Sequence, residues 1–258
     1  MDYADAFAAA RLLVAHRRSG VRLEALPEAL VPQTEADGYQ IQDLTVTCFG
    51  ERVVAWKIGA THPNSQASLG TSGPVAARLY STGVIEGSAT LPDRLLIRGL
   101  EAEYAFLMDA DLPPRDTPYS REEVINAVAS VHPSIEVVDT RFTAVQAGAT
   151  VIADSVGDSS WIYGEGTENV RDLDMRNAQV IMEVNGEAVV AGNGTQVLGD
   201  PVTSLMWLAN DHARQREGLR AGQFVTTGSC TGLYKAPEGC SARATFAGLG
   251  EVSVQFEA

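Results

Sequence analysis

Past residue 83 the chain breaks into short apolar runs separated by Gly and Pro, and this texture limits the fold more than any other feature. Runs at 95–97, 104–108, 135–138, 180–184, 224–227, 242–246 and 252–256 are short for buried helices. They recur at intervals typical of neighbouring strands in a β-rich sheet or roll. Two helices interrupt them. One opens on the capping box Ser120-Arg121-Glu122-Glu123 and should end before His132-Pro133, because the residue before a proline is biased away from helix. The other takes Asp200 as N-cap and Pro201 as first helical residue and should run to Gly218. The first 70 residues read differently. An amphipathic helix over 2–19 should stop near Gly20, and a second should start at Thr34, where Thr-Glu-Ala-Asp precedes Tyr39, Ile41 and Leu44. Val53 to Gly59 is an apolar run with one cation, Lys57, and reads as a buried strand. The fold class is therefore α+β, with a helical N-terminal segment packed on a β-rich body.

At 258 residues, 45% of them apolar, the chain can bury a sizeable core in one unit. Its net charge of −14 argues against nucleic acid and anionic membrane surfaces as partners. An anionic substrate would need a local cation: a Lys, an Arg or a metal. Cys48, Cys230 and Cys240 are odd in number and widely spaced, which suits neither a disulfide framework nor a zinc site. The N-terminus lacks signal-peptide character and no apolar stretch is long enough to span a bilayer, so a reducing, cytoplasmic setting is expected.

Three carboxylates sit where a buried strand should not carry them. In Gly99-Leu100-Glu101-Ala102-Glu103-Tyr104 the two glutamates are two residues apart, so a strand points both to one face. Like charges at that spacing repel, and burial makes the repulsion worse. Ser134-Ile135-Glu136-Val137-Val138 embeds a third carboxylate in an apolar run. Three carboxylates on strands form an all-oxygen donor set suited to a hard divalent ion, Mg²⁺ or Mn²⁺. The plain alternative puts Glu101 and Glu103 on a solvated face and pairs Glu136 with Arg141. Lys57 has two readings as well: a positioned catalytic or substrate-binding cation, or a side chain whose stem snorkels to water.

These residues carry a resemblance. The run Trp56-Lys57-Ile58-Gly59-Ala60-Thr61, then Leu69-Gly70, Glu101-Ala102-Glu103, Pro133 to Asp139, Ile152-Ala153-Asp154, Val197-Leu198-Gly199-Asp200-Pro201, Trp207-Leu208-Ala209, Thr227 to Thr231 and Phe246 to Gly250 is similar, in order, to the 2-keto-4-pentenoate hydratases. That family belongs to the fumarylacetoacetate hydrolase superfamily. The resemblance implies a mixed β-roll and one catalytic unit over 1–258, with a mostly helical segment at 1–70 and a metal-binding body at 71–258. It implies metal held by Glu101, Glu103 and Glu136, chelation of that metal by a small 2-keto acid, and Lys57 beside it. The implied reaction is hydration of a 2-hydroxy-2,4-dienoate to a 4-hydroxy-2-keto acid, in the breakdown of aromatic compounds, through a metal-stabilised enolate. Relatives decarboxylate or cleave C–C bonds on the same kind of metal, and some hydratases pair with the decarboxylase of the preceding step. Homo-oligomerisation is implied too, and a catalytically silent partner subunit is the remaining alternative.

Two positions depart from the family pattern. Thr82 stands where an acidic residue is expected. Ala153-Asp154-Ser155 replaces the usual Ala-Asp-Asn, so a shorter hydroxyl takes the place of an amide. Thr82, Ser155 and Asp154, with Lys57, are the candidate catalytic residues beside the metal cradle. With Asp158, Thr82 and Ser155 should lie near the carbon end of the substrate. Arg78, Thr227 and Gly228 are candidates for substrate binding, with Arg78 equally readable as a surface cation. His62 reads as a loop histidine near the Lys57 motif, and Cys230 as a packing residue. The glycines near 192–199 lack dinucleotide-loop spacing, so no nicotinamide cofactor is expected.

Overall fold

The first helix is fixed at both ends by its own sequence. The Asp2 carboxylate accepts from the Ala4 N–H, and Gly20 closes the helix in a left-handed conformation at φ 69°. The structure, a computed structural model, describes residues 1–92, 94–211 and 217–257. In chain order its helices and strands are α1 (Tyr3–Ser19), α2 (Glu35–Phe49), β1 (Val53–Gly59), α3 (Pro63–Leu69), β2 (Val75–Tyr80), β3 (Val84–Glu86), β4 (Ser88–Leu91), β5 (Gly99–Met108), α4 (Arg121–Asn126), β6 (Val128–Val138), α5 (Gly148–Ala153), β7 (Asp158–Tyr163), β8 (Val180–Val184), β9 (Glu187–Gly192), α6 (Pro201–Asn210), β10 (Phe224–Thr226), β11 (Tyr234–Lys235), β12 (Ser241–Phe246) and β13 (Gly250–Phe256). Among the described residues no helix is long and apolar enough to cross a membrane.

The strands form two sheets. The larger runs β2-β1-β10-β5-β6-β7-β3, with β11 pairing β5, and the smaller runs β4-β13-β12-β8-β9. Mixed α+β architecture with an N-terminal helical segment is what the sequence predicts. The main core gathers Trp56, Leu100, Tyr104, Phe106 and Val137 of the larger sheet with Val180, Met182, Ala244, Phe246 and Val252 of the smaller. Tyr104 and Phe246 meet edge to face, ring centres 5.0 Å apart. Each large side chain buried there contributes roughly 1.5–3 kcal/mol. Alternation along β5 sends Leu100, Ala102, Tyr104 and Phe106 into this core, which leaves Glu101, Glu103 and Ala105 to the other face.

Three expectations are corrected. Residues 95–97 are not a strand, because the Asp139 carboxylate takes the N–H groups of Leu96 and Ile97, each at 3.0 Å. The helix opened by Ser120 keeps its capping box but ends at Asn126, and His132-Pro133 lies inside β6. The proline is tolerated there because its backbone faces away from β5: the Pro133 carbonyl accepts from the Gly164 N–H at 2.8 Å, just past the last residue of β7, so the missing N–H removes no bond to Tyr104. The helix capped by Asp200 ends at Asn210, and residues 212–216 of the expected run to Gly218 lie outside the described residues.

Candidate active site

Register brings four charged side chains to one face of the larger sheet. Glu101 pairs with Glu136 across β5 and β6, and Glu103 with Ser134. Thr226 of β10 pairs with Ala105 on one side and with Lys57 of parallel β1 on the other. Directly paired residues share a face, so Lys57, Thr226, Glu101, Glu103 and Glu136 all project the same way. One carboxylate oxygen from each glutamate lies within 4.8 Å of the others. Glu103 and Glu136 are 1% exposed and Lys57 is 2% exposed. This rules out both plain alternatives. Glu103 and Glu136 are not on a solvated face, Glu101 beside them is half-buried, and Lys57 does not reach water. Glu136 pairs with Lys57 and not with Arg141.

The cluster is short of positive charge. Burial raises the Glu101 carboxyl to about 7, with the charge of Glu136 adding to it and Lys57 opposing. Burial likewise pushes Glu103 well above the ordinary carboxylate range, and the charges of Glu136 and Glu101 push it further. Glu136 is raised by burial, and Lys57 draws it back. Burial acts to strip the Lys57 proton, but the attraction of Glu136, then Glu101 and Glu103, outweighs it and the ammonium is held. Hydrogen bonds fix the directions of the carboxylates. The Thr226 hydroxyl and the Gly228 N–H, the latter at 3.0 Å, donate to one oxygen of Glu103. Lys57 donates to one oxygen of Glu136, and the other Glu136 oxygen is buried with no partner among the described residues.

That unpartnered oxygen tests whether the residues suit a metal. Buried polar atoms are normally satisfied, so an orphaned carboxylate oxygen beside two further carboxylates needs a cation. The donors are all hard oxygens, which suits Mg²⁺ or Mn²⁺. The three glutamates can hold such an ion.

The loop after α5 supplies a third support. Ser155 and Val156 adopt φ of 52° and 53°, uncommon for residues with side chains and adverse for a β-branched one. The bend turns the Val156 carbonyl to accept from Lys57 at 2.9 Å. Asp154 anchors the loop. Its carboxylate accepts from the Thr140 hydroxyl at 2.7 Å, from the Arg141 N–H at 3.1 Å and from the Arg141 guanidinium. Arg141 also donates to the Asp158 carbonyl, and Arg17 pairs with the Asp158 carboxylate.

The remaining sequence candidates divide. Gly228 joins the site through its backbone; at φ 105° an added Cβ would lie 2.5 Å from the Thr61 hydroxyl oxygen, so only glycine fits. Thr227 turns its hydroxyl to the Tyr104 carbonyl, away from the glutamates. Arg78 alternates with Ala77, the residue registered with Lys57, and so leaves that face; it pairs with Asp43 at 2.7 Å and stacks on Trp56. Thr82 follows β2 and lines a small cavity with Asp158. His62 caps α3, and Cys230 is buried in the core. Sequence reasoning missed Thr226 and Arg141. Thr226 was readable, since it is the residue of Phe224-Val225-Thr226 that strand alternation aligns with a charged face. The role of Arg141 depends on a tertiary contact with the loop and has no local signal.

No protein-family model matches the chain. Individual relatives do. It is 33% identical over 209 residues to a 4-oxalocrotonate decarboxylase of Pseudomonas putida, covering 80% of this chain and 78% of the relative. It is 31% identical over 257 residues to 2-keto-4-pentenoate hydratase 2 of Dechloromonas aromatica strain RCB, covering 96% of both. Among solved structures it superposes on 4-oxalocrotonate decarboxylase from Pseudomonas putida G7, complexed with magnesium and adipate, with TM-score 0.90 and 27% identity over 99% of this chain and 98% of that one. A fumarylacetoacetate hydrolase from Exiguobacterium antarcticum shares the fold, with TM-score 0.58 and 17% identity over 82% of this chain and 77% of that one. The chain belongs to the 2-keto-4-pentenoate hydratase family, an enzyme family named for a hydro-lyase.

Proposed function

We propose that the chain is a divalent-metal-dependent hydratase that adds water to a 2-hydroxy-2,4-dienoate, or its 2-keto-4-enoate form, and yields a 4-hydroxy-2-keto acid. The observation that carries this reading is the triad of buried Glu103 and Glu136 and half-buried Glu101, with one orphaned oxygen and Lys57 at its side. The three glutamates would hold Mg²⁺ or Mn²⁺. When bound, the ion supplies Lewis-acid stabilisation of negative charge developing on the 2-oxo oxygen.

The chain's own groups do the rest. The glutamate charges hold Lys57 as the ammonium in the metal-free chain, which makes it a hydrogen-bond donor beside the site. Two of its three N–H groups serve Glu136 and the Val156 carbonyl, and the third serves the substrate carboxylate. Thr226 and Gly228 hold Glu103 in a fixed direction. Asp154 and Ser155 act through the loop that aims Val156 at Lys57, since the Asp154 carboxylate is already committed to Arg141 and Thr140. Thr82 contributes a hydroxyl at the carbon end, where it can orient water but carries protons poorly near neutral pH. Thr227 supports the end of β10, and Arg78 stays outside the reaction. The enzyme would work in the cytoplasm as a homo-oligomer in aromatic catabolism, alone or with a related decarboxylase.

A second reading, decarboxylation of a 2-keto acid on the same metal, is favoured by one feature: Thr82 occupies the position where a hydratase acid is expected. The test is to mix purified protein and Mg²⁺ or Mn²⁺ with freshly generated 2-hydroxypenta-2,4-dienoate and follow the diene absorbance and product mass. Metal-dependent loss of absorbance with gain of one water supports hydration. An untouched dienoate, with loss of CO₂ from a vinylogous keto acid, moves the assignment to the second reading.

A further inference from the structure

A cavity of about 230 Å³ opens beside the C-terminal end of α1. Arg17, Arg18, Arg22, Arg94 and Arg141 share its wall with Asp139 and Asp158, in a chain whose net charge is −14. Basic residues are ordinary in the last turn of a helix, where they face the negative end of its dipole. That accounts for Arg17 and Arg18 only. Arg22 lies past the helix end, Arg94 between β4 and β5, and Arg141 just after β6.

Ion pairing leaves this wall positive. Arg17 pairs with Asp158, Arg22 with Asp139, and Arg141 with Asp154. Arg18 and Arg94 are exposed and meet no carboxylate among the described residues; Arg18 gives one N–H to the Phe49 carbonyl at 2.7 Å. Their two charges are a surplus over the balanced pairs. The carboxylate of Asp139 is filled as well, since one oxygen takes Arg22 and the other takes the N–H groups of Leu96 and Ile97. The guanidiniums are not filled. Arg22 bonds Asp139 and the Arg94 carbonyl through a single terminal nitrogen, and Arg17 bonds the carboxylate and carbonyl of Asp158 in the same way. In each, the Nε and the second terminal nitrogen donate to no acceptor among the described residues.

We propose that this cavity binds a small, doubly charged tetrahedral oxyanion of the phosphate class. Its oxygens take the spare N–H groups of Arg17 and Arg22, and its charge meets Arg18 and Arg94. A tetrahedral anion offers enough oxygens for several guanidinium forks at once, whereas a monocarboxylate fills one. The volume is below the roughly 300–1,000 Å³ of sites for larger organic ligands, which also favours a small anion. The site is separate from the glutamates and stands whatever reaction they perform.

The test is calorimetric titration of the metal-stripped full chain at pH 8 and constant ionic strength, with phosphate, sulfate and acetate as probes. Stripping the metal keeps phosphate from binding an ion at the glutamates. Wild type should bind one phosphate or one sulfate per chain, and acetate at least about tenfold more weakly. Arg94→Gln should weaken phosphate about tenfold with no change in melting temperature, because Arg94 has no ion pair to lose. Arg220→Gln, at an exposed arginine outside the wall, should leave phosphate affinity unchanged. Absence of phosphate binding, acetate as tight as phosphate, or no loss in Arg94→Gln overturns the proposal. Equal losses in Arg94→Gln and Arg220→Gln also overturn it, since they would report net charge and not a site.

Discussion

Two clusters of buried charge in the molecule are built to opposite rules. Under the C-terminal end of α1, Arg17, Arg22 and Arg141 meet Asp139, Asp154 and Asp158, three cations against three anions, with Leu96, Ile97 and Thr140 filling the spare carboxylate positions. On the face of the larger sheet, Glu101, Glu103 and Glu136 meet Lys57 alone. The first cluster is complete in itself and serves the fold by pinning the loop that carries Val156. The second has a surplus of negative charge, raised carboxyl pKa values and an orphaned oxygen. Unbalanced buried charge is adverse to the folded chain by itself, so it marks the place where an outside cation belongs.

Removing a carboxylate should therefore have opposite effects in the two places. The largest change expected is in activity: Glu103→Gln should cut metal-dependent turnover roughly a thousandfold, measured by steady-state kinetics at saturating Mg²⁺. The same substitution should leave the metal-free protein as stable or more stable, by on the order of 1 kcal/mol at pH 8, because it relieves repulsion. Asp154→Asn should do the reverse. It leaves Arg141 short of its partner and should lower unfolding stability by about 3 kcal/mol in urea melts, with or without metal. If both substitutions destabilise the metal-free chain alike, the contrast between the clusters is false.

Lys57→Met sharpens the comparison. It removes the one cation that the described residues bring to the glutamate site, so turnover should fall roughly a hundredfold while Mg²⁺ binding is kept or tightened, which separates kcat from metal affinity in one variant. A smaller effect concerns pH. Carboxyls raised above their ordinary value of 4.5 add stability below that value and lose it as pH rises through the folded value, about 7 for Glu101. The glutamate site should thus make metal-free protein less stable at pH 8 than at pH 5.5. Mg²⁺ binds the deprotonated form, so its stabilising shift should grow over the same interval. Melting curves at the two pH values, with chelator and with Mg²⁺, measure both signs.

The difference between the clusters also governs how much could be read from the sequence. Glu101 and Glu103 are two residues apart on one strand, so local periodicity alone predicted a shared face, and Glu136 stood out inside an apolar run. Lys57 was visible for the same reason. The balanced cluster was not, because Arg17, Asp139 and Asp158 are far apart in the chain and each looks like an ordinary surface charge. Secondary structure follows the same division. Caps at Thr34, Ser120 and Asp200 were legible because capping is local. The strand nature of 128–133 was not, since a proline fits in β6 only because its backbone faces the end of β7 and not β5, which register between distant strands decides. Strand β2 was hidden as well: its six residues are buried without alternation, and Arg78 gave it a surface look.

The measurement that tests the central claim most directly is calorimetric titration of metal-stripped protein with Mn²⁺, on wild type and Glu103→Gln, with melting temperature read at each end. The account predicts one ion per chain and a clear upward shift in melting temperature for wild type, with both lost in the variant while its metal-free melting temperature holds. Binding that is equal in the two proteins, or absent from wild type, would contradict it.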